Sequence, residues 1–195
     1  MYVDDIIIID NNNLEIEKVK LLLKTKFLIK DLGKLKYFLG SEVLNNENGI
    51  CISQRKYCLE LLDEYALLGC KPSNTPIEPN LNVSCEPSEK DPLLFNITEY
   101  QKLVGKLIYM TLTKPDISFY VQVLSQFMHA PLQSHFNLVL RVLRYLKGSP
   151  GRGVQFVKSD AFTLNAFCDA GYGKCKVDRK SVTGYLVYFC GSLIS

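Results

Sequence analysis

The sequence predicts an α+β chain whose character changes along its length: mixed at first, then helical, then strand-like. Three observations carry this. Apolar residues recur at helical spacing through the middle of the chain. Short β-branched and aromatic runs bounded by turn residues occupy both ends. A stretch holding Pro72, Pro76, Pro79, Pro87 and Pro92 separates the first mixed part from the helical one.

Taken in order, Ile6 to Ile9 is a β-branched run that reads as a buried strand. Asn11, Asn12 and Asn13 break it and offer a helix cap. Glu15 and Glu17 follow in the first turn, where the helix dipole favours acid, so a helix is expected over residues 13–27. Glu42-Val43-Leu44 and Ile50-Cys51-Ile52 flank Asn48-Gly49, a hairpin pattern. Ser53 is the expected cap of a helix bearing Tyr57, Leu61, Leu62 and Tyr65, with Gly69 as its stop. Residues 70–96 read as a long surface connection.

Thr98 and Gln101 fit a capping box for a helix running to about Thr113. Pro115 suits the first turn of the next helix, lined by Phe119, Val123 and Phe127. Ser134 is the expected cap of a further helix through Val139, Leu143 and Leu146, and Gly148 its stop. Leu164–Asp169 and Thr183–Phe189 read as strands.

The bulk properties exclude some classes. The 195 residues are 47% hydrophobic and 22% charged, which is ordinary for a folded chain and not for a disordered one. A net charge of +3 is compatible with a polyanionic partner without demanding one. Cys51, Cys58, Cys70, Cys85, Cys168, Cys175 and Cys190 form no Cys-x-x-Cys pair, which argues against zinc. They are expected to be reduced, mostly buried thiols of an intracellular protein without a signal peptide. His129 and His135 are too isolated for a triad or a metal site and are expected to be structural or surface residues.

Tyr2-Val3-Asp4-Asp5 carries the first chemical signal. Adjacent carboxylates before an apolar strand are costly unless a cation neutralises them. Magnesium accepts one or two carboxylates together with substrate phosphates. For a bare Asp-Asp pair, an acidic strand cap in solvent is the competing interpretation.

Further landmarks supply context. Lys30-Asp31-Leu32-Gly33, Tyr37-Phe38-Leu39-Gly40, Ser53-Gln54-Arg55-Lys56-Tyr57, Cys70-Lys71-Pro72, Thr75-Pro76, the run from Tyr100 to Tyr109, Lys114–Ser118 and Val142–Gly148 follow in one order. With the opening motif they resemble copia-type retrotransposon Pol polyproteins, in which a reverse transcriptase precedes a ribonuclease H domain. The resemblance implies a partial reverse-transcriptase palm over residues 1–53, a helical thumb or connection over 54–150, and the first strands of a ribonuclease H-like sheet over 151–195. It implies Mg2+ as cofactor, with Asp4 and Asp5 as paired metal-holding catalytic carboxylates and Tyr2 and Val3 beside the primer end and template-paired nucleotide.

Phe167-Cys168-Asp169-Ala170, with Arg179-Lys180-Ser181 and Thr183-Gly184-Tyr185, resembles the start of the ribonuclease H domain. Asp169 then matches the first catalytic, metal-binding aspartate of that domain. Gly171-Tyr172-Gly173 stands where the family often has a tryptophan, and Asp178 reads as a surface loop residue.

Arg141, Arg144 and Lys147 recur every three residues on one helix face, and Arg152 and Lys158 follow. Solvated helix faces and phosphate contacts both account for such clusters. With the resemblance, they are expected to help grip an RNA–DNA or DNA primer–template duplex. The third polymerase aspartate of the family has no match here, and further ribonuclease H acids would follow residue 195. The chain is therefore expected to be a fragment at both ends and catalytically inactive by itself. A nucleic-acid-binding module without chemistry, and a segment of an intact enzyme, are the rival expectations. No membrane partner and no small-molecule cofactor are expected.

Overall fold

In a computed structural model, residues 5–78, 83–84, 86–171 and 181–195 are described. The chain is mixed α and β, with five α-helices and two antiparallel sheets among those residues. This agrees with the expected α+β class.

Helix α1 spans Asn13–Lys26, with Asn12 as its cap accepting from the Leu14 amide. Glu15 sits in its first turn and Lys24 and Lys26 in its last, each matching the dipole. It buries no residue. The Ile6–Ile9 run before it departs from expectation. It forms no strand, and Ile6 and Ile9 are 61% and 86% exposed. A β-branched run becomes a strand only where a partner takes its hydrogen bonds, and no described residue does so here.

The first sheet has the order β1-β2-β3-β4, from Tyr37–Phe38, Ser41–Asn46, Gly49–Ser53 and Val154–Val157. Leu39 and Gly40 both take positive φ between β1 and β2, as a tight two-residue hairpin requires. The β2–β3 register runs from Glu42↔Ser53 to Asn46↔Gly49, placing the expected hairpin. Strand β4 was not anticipated. It pairs with β3, Ile52 opposite Val154, although it comes from the region beyond residue 150. The approach is close: a Cβ at Gly49 or Gly153 would overlap the carbonyl oxygen of Phe156 or Ile52, respectively.

Between β3 and β4 lies the helical body: α2 (Arg55–Glu64), α3 (Ile97–Met110), a 3₁₀ turn at Pro115–Ile117, α4 (Ser118–Ser125) and α5 (Gln133–Lys147). Their facing stripes form the core, including Leu61, Leu62, Leu103, Leu107, Val121, Leu124, Val139 and Leu143. The Tyr100 hydroxyl, buried with them, donates to the Leu124 carbonyl at 2.7 Å and ties α3 to α4.

Several helix boundaries differ from those expected. Ser53 ends β3, and Gln54 takes the cap position of α2. Gln54 is wholly buried, accepts from the Thr113 hydroxyl at 2.7 Å and donates to the Tyr109 carbonyl. Its side chain bonds across to α3 and the turn after it instead of capping its own helix. Helix α2 ends at Glu64, before Gly69, because Ala66 adopts positive φ and the Leu67 amide turns back to Leu62. Asn96, not Thr98, caps α3: it accepts from the Glu99 amide and donates to the Glu99 carboxylate, both at 3.1 Å.

Helix α4 buries Val121 and Leu124 and leaves Phe119 exposed, because the 3₁₀ turn rotates the start of the stripe. At α5, Ser134 lies one residue inside the helix, and its amide donates to Asp91. The His135 ring accepts from the Leu132 amide in its place. Gly148 is the C-cap, as expected.

The second sheet is an antiparallel meander of β5 (Leu164–Gly171), β6 (Val182–Phe189) and β7 (Ser192–Leu193). Its first two strands match the expected runs. Leu164, Phe167 and Tyr185 stand exposed on it. The Ser192 hydroxyl accepts from the Val157 amide at 2.8 Å, linking this sheet to β4. Among the described cysteines, all free, only Cys58 is buried and Cys168 is exposed, which corrects the expectation of mostly buried thiols. Among the described residues no helix is long and apolar enough to cross a membrane.

Candidate functional site

Tyr2, Val3 and Asp4 lie outside the described residues, as do Cys85, Cys175, Asp178, Arg179 and Lys180. Asp5 is exposed, immediately before the Ile6–Ile9 segment, which belongs to no strand or helix. Asp169 is exposed on β5, opposite Gly184 of β6. Among the described residues no three acidic, His or Cys side chains converge on a point that could hold a metal ion. Neither Asp5 nor Asp169 belongs to such a group among the described residues, which leave out Asp4.

The basic stripe on α5 has a different setting from the one expected. The connection after α2 runs along this helix as a strap. Arg141 is paired with Glu78 at 2.9 Å and donates to the Thr75 hydroxyl at 3.2 Å. The Ser73 amide donates to the Arg144 carbonyl at 3.0 Å, and the Lys147 ammonium donates to the Cys70 carbonyl. All three basic side chains are half-buried, and the Nε atoms of Arg141 and Arg144 are buried without a partner. One face does hold Arg141, Arg144 and Lys147, but strap residues 70–78 occupy it.

Farther along, the strap is held by His135. Its Nδ1 accepts from the Leu132 amide at 3.1 Å, and its Nε2 faces the Ser84 carbonyl at 2.8 Å. These partners select the tautomer with the proton on Nε2. The ring lies on Phe127, centroids 4.0 Å apart. Burial lowers the pKa of His135, against the smaller raising effects of the Ser84 bond and the Asp91 charge. His135 is the structural residue expected of it. Periodicity could not distinguish the strap from a loose connection, because its bonds join residues more than forty positions apart in several places.

A second charged locus lies at the junction of the helical body with the β6–β7 end. Lys114 is 1% exposed and donates to the Ser149 carbonyl. Burial lowers its pKa, opposed by nearby Cys58 and Asp116. Asp116 accepts from the Tyr145 hydroxyl at 2.6 Å. A cleft of about 340 Å³ opens beside these groups, and Arg152 lines it.

The opening Tyr-x-Asp-Asp of the sequence and the mixed α and β fold behind it are compatible with a segment of a nucleic-acid polymerase. The reverse transcriptase (RNA-dependent DNA polymerase) family matches residues 1–79. Over 196 aligned residues the chain is 36% identical to the uncharacterized mitochondrial protein AtMg00810 of Arabidopsis thaliana, covering all of this chain and 80% of that one. It is 39% identical to the retrovirus-related Pol polyprotein from transposon RE1 of the same plant, over 96% of this chain and 13% of the polyprotein. It is 34% identical to the Pol polyprotein from transposon TNT 1-94 of Nicotiana tabacum, over 100% of this chain and 15% of that protein. The chain belongs to the copia-type retrotransposon Pol family and corresponds to a segment of its reverse transcriptase. It spans about an eighth to a seventh of the length of those polyproteins. No solved structure matches it.

Proposed function

We propose that this segment forms the primer–template side of an RNA-directed DNA polymerase, and that the 195-residue polypeptide alone holds nucleic acid without extending it. The observation that carries the first half is the reverse-transcriptase match over residues 1–79, continued over the rest of the chain by a Pol relative that aligns with all of it. The second half rests on the acidic residues: no group of three His, Cys, Asp or Glu side chains that could hold a metal ion occurs among the described residues, which leave out Asp4.

In this proposal residues 1–53 belong to the palm, and Asp4 and Asp5 give two carboxylates to a Mg2+ site that needs donors from elsewhere. Tyr2 and Val3 lie beside the primer end. Residues 54–150 form the thumb or connection, consistent with a helical body that has its own core. Residues 151–195 begin a ribonuclease H-like sheet, which the antiparallel meander of β5, β6 and β7 supports, with Asp169 as one of its carboxylates. Strand β4 belongs with the first sheet in structure, so the third region engages the first through it.

Primer extension with Mg2+ on the isolated chain is expected to give no synthesis. Synthesis abolished by Asp4→Ala would overturn the inactive half of the proposal. Binding of a labelled RNA–DNA hybrid is expected, with affinity falling steeply as salt rises. Neutralising Arg141, Arg144 and Lys147 together tests their role. Weaker binding with an unchanged melt supports direct phosphate contact. A lowered melt supports the strap-holding bonds as their main work.

A further inference from the structure

The junction cleft carries charge that the fold does not satisfy internally. Lys114 is buried, and its ammonium has three hydrogens but one acceptor among the described residues, the Ser149 carbonyl. Asp116 offsets one positive charge and is itself held by the Tyr145 hydroxyl. The Arg152 guanidinium has neither a hydrogen bond nor an ion pair among the described residues. Only its backbone amide is engaged, with Ser149. The local sum of Lys114, Arg152 and Asp116 is one net positive charge at the mouth of a cleft of about 340 Å³.

The remaining walls are less polar. Pro115 lines it, as do Val154 of β4 and Tyr188 and Leu193 of the β6–β7 end. One surplus positive charge matches a phosphodiester monoanion, and an aromatic wall suits a base, since every base has a π-face to stack.

We propose that this cleft takes one nucleotide unit of a single nucleic-acid strand, with its phosphate against Arg152 and Lys114 and its base against Pro115, Tyr188 and Leu193. The proposal rests on the nucleic-acid-binding function proposed above and adds a site to it. Arg152 is the anchoring group, because it is exposed and its charge is unspent. Lys114 sets the local potential from beneath.

The test is binding of a labelled twelve-residue oligothymidylate to the full 195-residue chain, read by fluorescence anisotropy across a salt series. Arg152→Ala is expected to weaken binding about tenfold and to make the log–log salt slope shallower by roughly 0.7, the amount for one single-strand phosphate. Tyr188→Ala is expected to weaken it about fivefold or more. Lys102→Ala, an equal charge change on the exposed face of α3, is expected to change it less than twofold. Thermal melts of each variant must match the parent, which Arg152 and Lys102 permit as exposed residues.

Equal effects of Arg152→Ala and Lys102→Ala would overturn the cleft while leaving general nucleic-acid binding intact. Failure of the parent chain to bind either oligothymidylate or hybrid would overturn both. Displacement of the strand by inorganic phosphate at equal concentration would show a free-phosphate site and overturn the nucleotide assignment.

Discussion

The helical body and the β5–β7 sheet are both rich in apolar residues, yet they bury them very differently. Leu103, Leu107 and Leu124 are wholly buried between helices, whereas Leu164, Phe167 and Tyr185 are each more than 60% exposed on the sheet. The difference lies in layers, not composition. Helices α2 to α5 cover one another's stripes, while Leu164, Phe167 and Tyr185 stand on the sheet largely uncovered. Apolar sequence stabilises a fold only where another element removes it from water. Stability therefore resides in the helical body.

The largest break of this contrast is Leu107→Ala, which is expected to cost about 2–5 kcal/mol in a denaturant melt, since it empties a wholly buried site. Tyr100→Phe comes next. It removes the tyrosine donor from the Leu124 carbonyl, which keeps the Phe127 amide, and is expected to cost about 0.5–1.5 kcal/mol. Amide exchange sharpens the same line: α3 and α5 amides are expected to exchange with the global opening, and those of residues 5–36 much faster.

The pH dependence follows from His135, whose pKa is lowered by burial. Below about pH 6.5 the unfolded chain takes up a proton that the folded ring resists. Stability is thus complete above that pH and falls as the pH drops below it. His135→Gln, measured by thermal melts at pH 7.5 and 5.5, is expected to flatten the dependence. At the small end, Phe167→Ser on the exposed sheet face is expected to stay within about 0.5 kcal/mol of the parent.

Much of the fold was readable where short-range chemistry decides it. The asparagine cap and acidic first turn placed α1, Asn48-Gly49 placed the β2–β3 hairpin, and Gly148 placed the end of α5. The misses share one cause. Ile6–Ile9 has strand chemistry without a partner strand, and β4 finds its partner across the whole helical body. Gln54 replaced Ser53 at the cap because its amide group is bonded to Tyr109 and Thr113, far along the sequence. The α5 stripe was legible as one face, but not that Glu78 and the Cys70 carbonyl would occupy it. The Lys114–Arg152 cleft joins three separated segments and leaves no spacing pattern to find.

The β3–β4 pairing has a kinetic consequence. Ile52 and Val154 are neighbours in the sheet although the chain between them is the entire helical body. Closing a flexible loop of roughly a hundred residues costs about 4 kcal/mol of chain entropy in the logarithmic limit. Once the helices have packed, the ends of that loop are already drawn together and most of the cost is gone. The sheet's last seam should therefore close late in folding. Mutations at Gly153 should then speed unfolding while leaving the folding rate nearly unchanged.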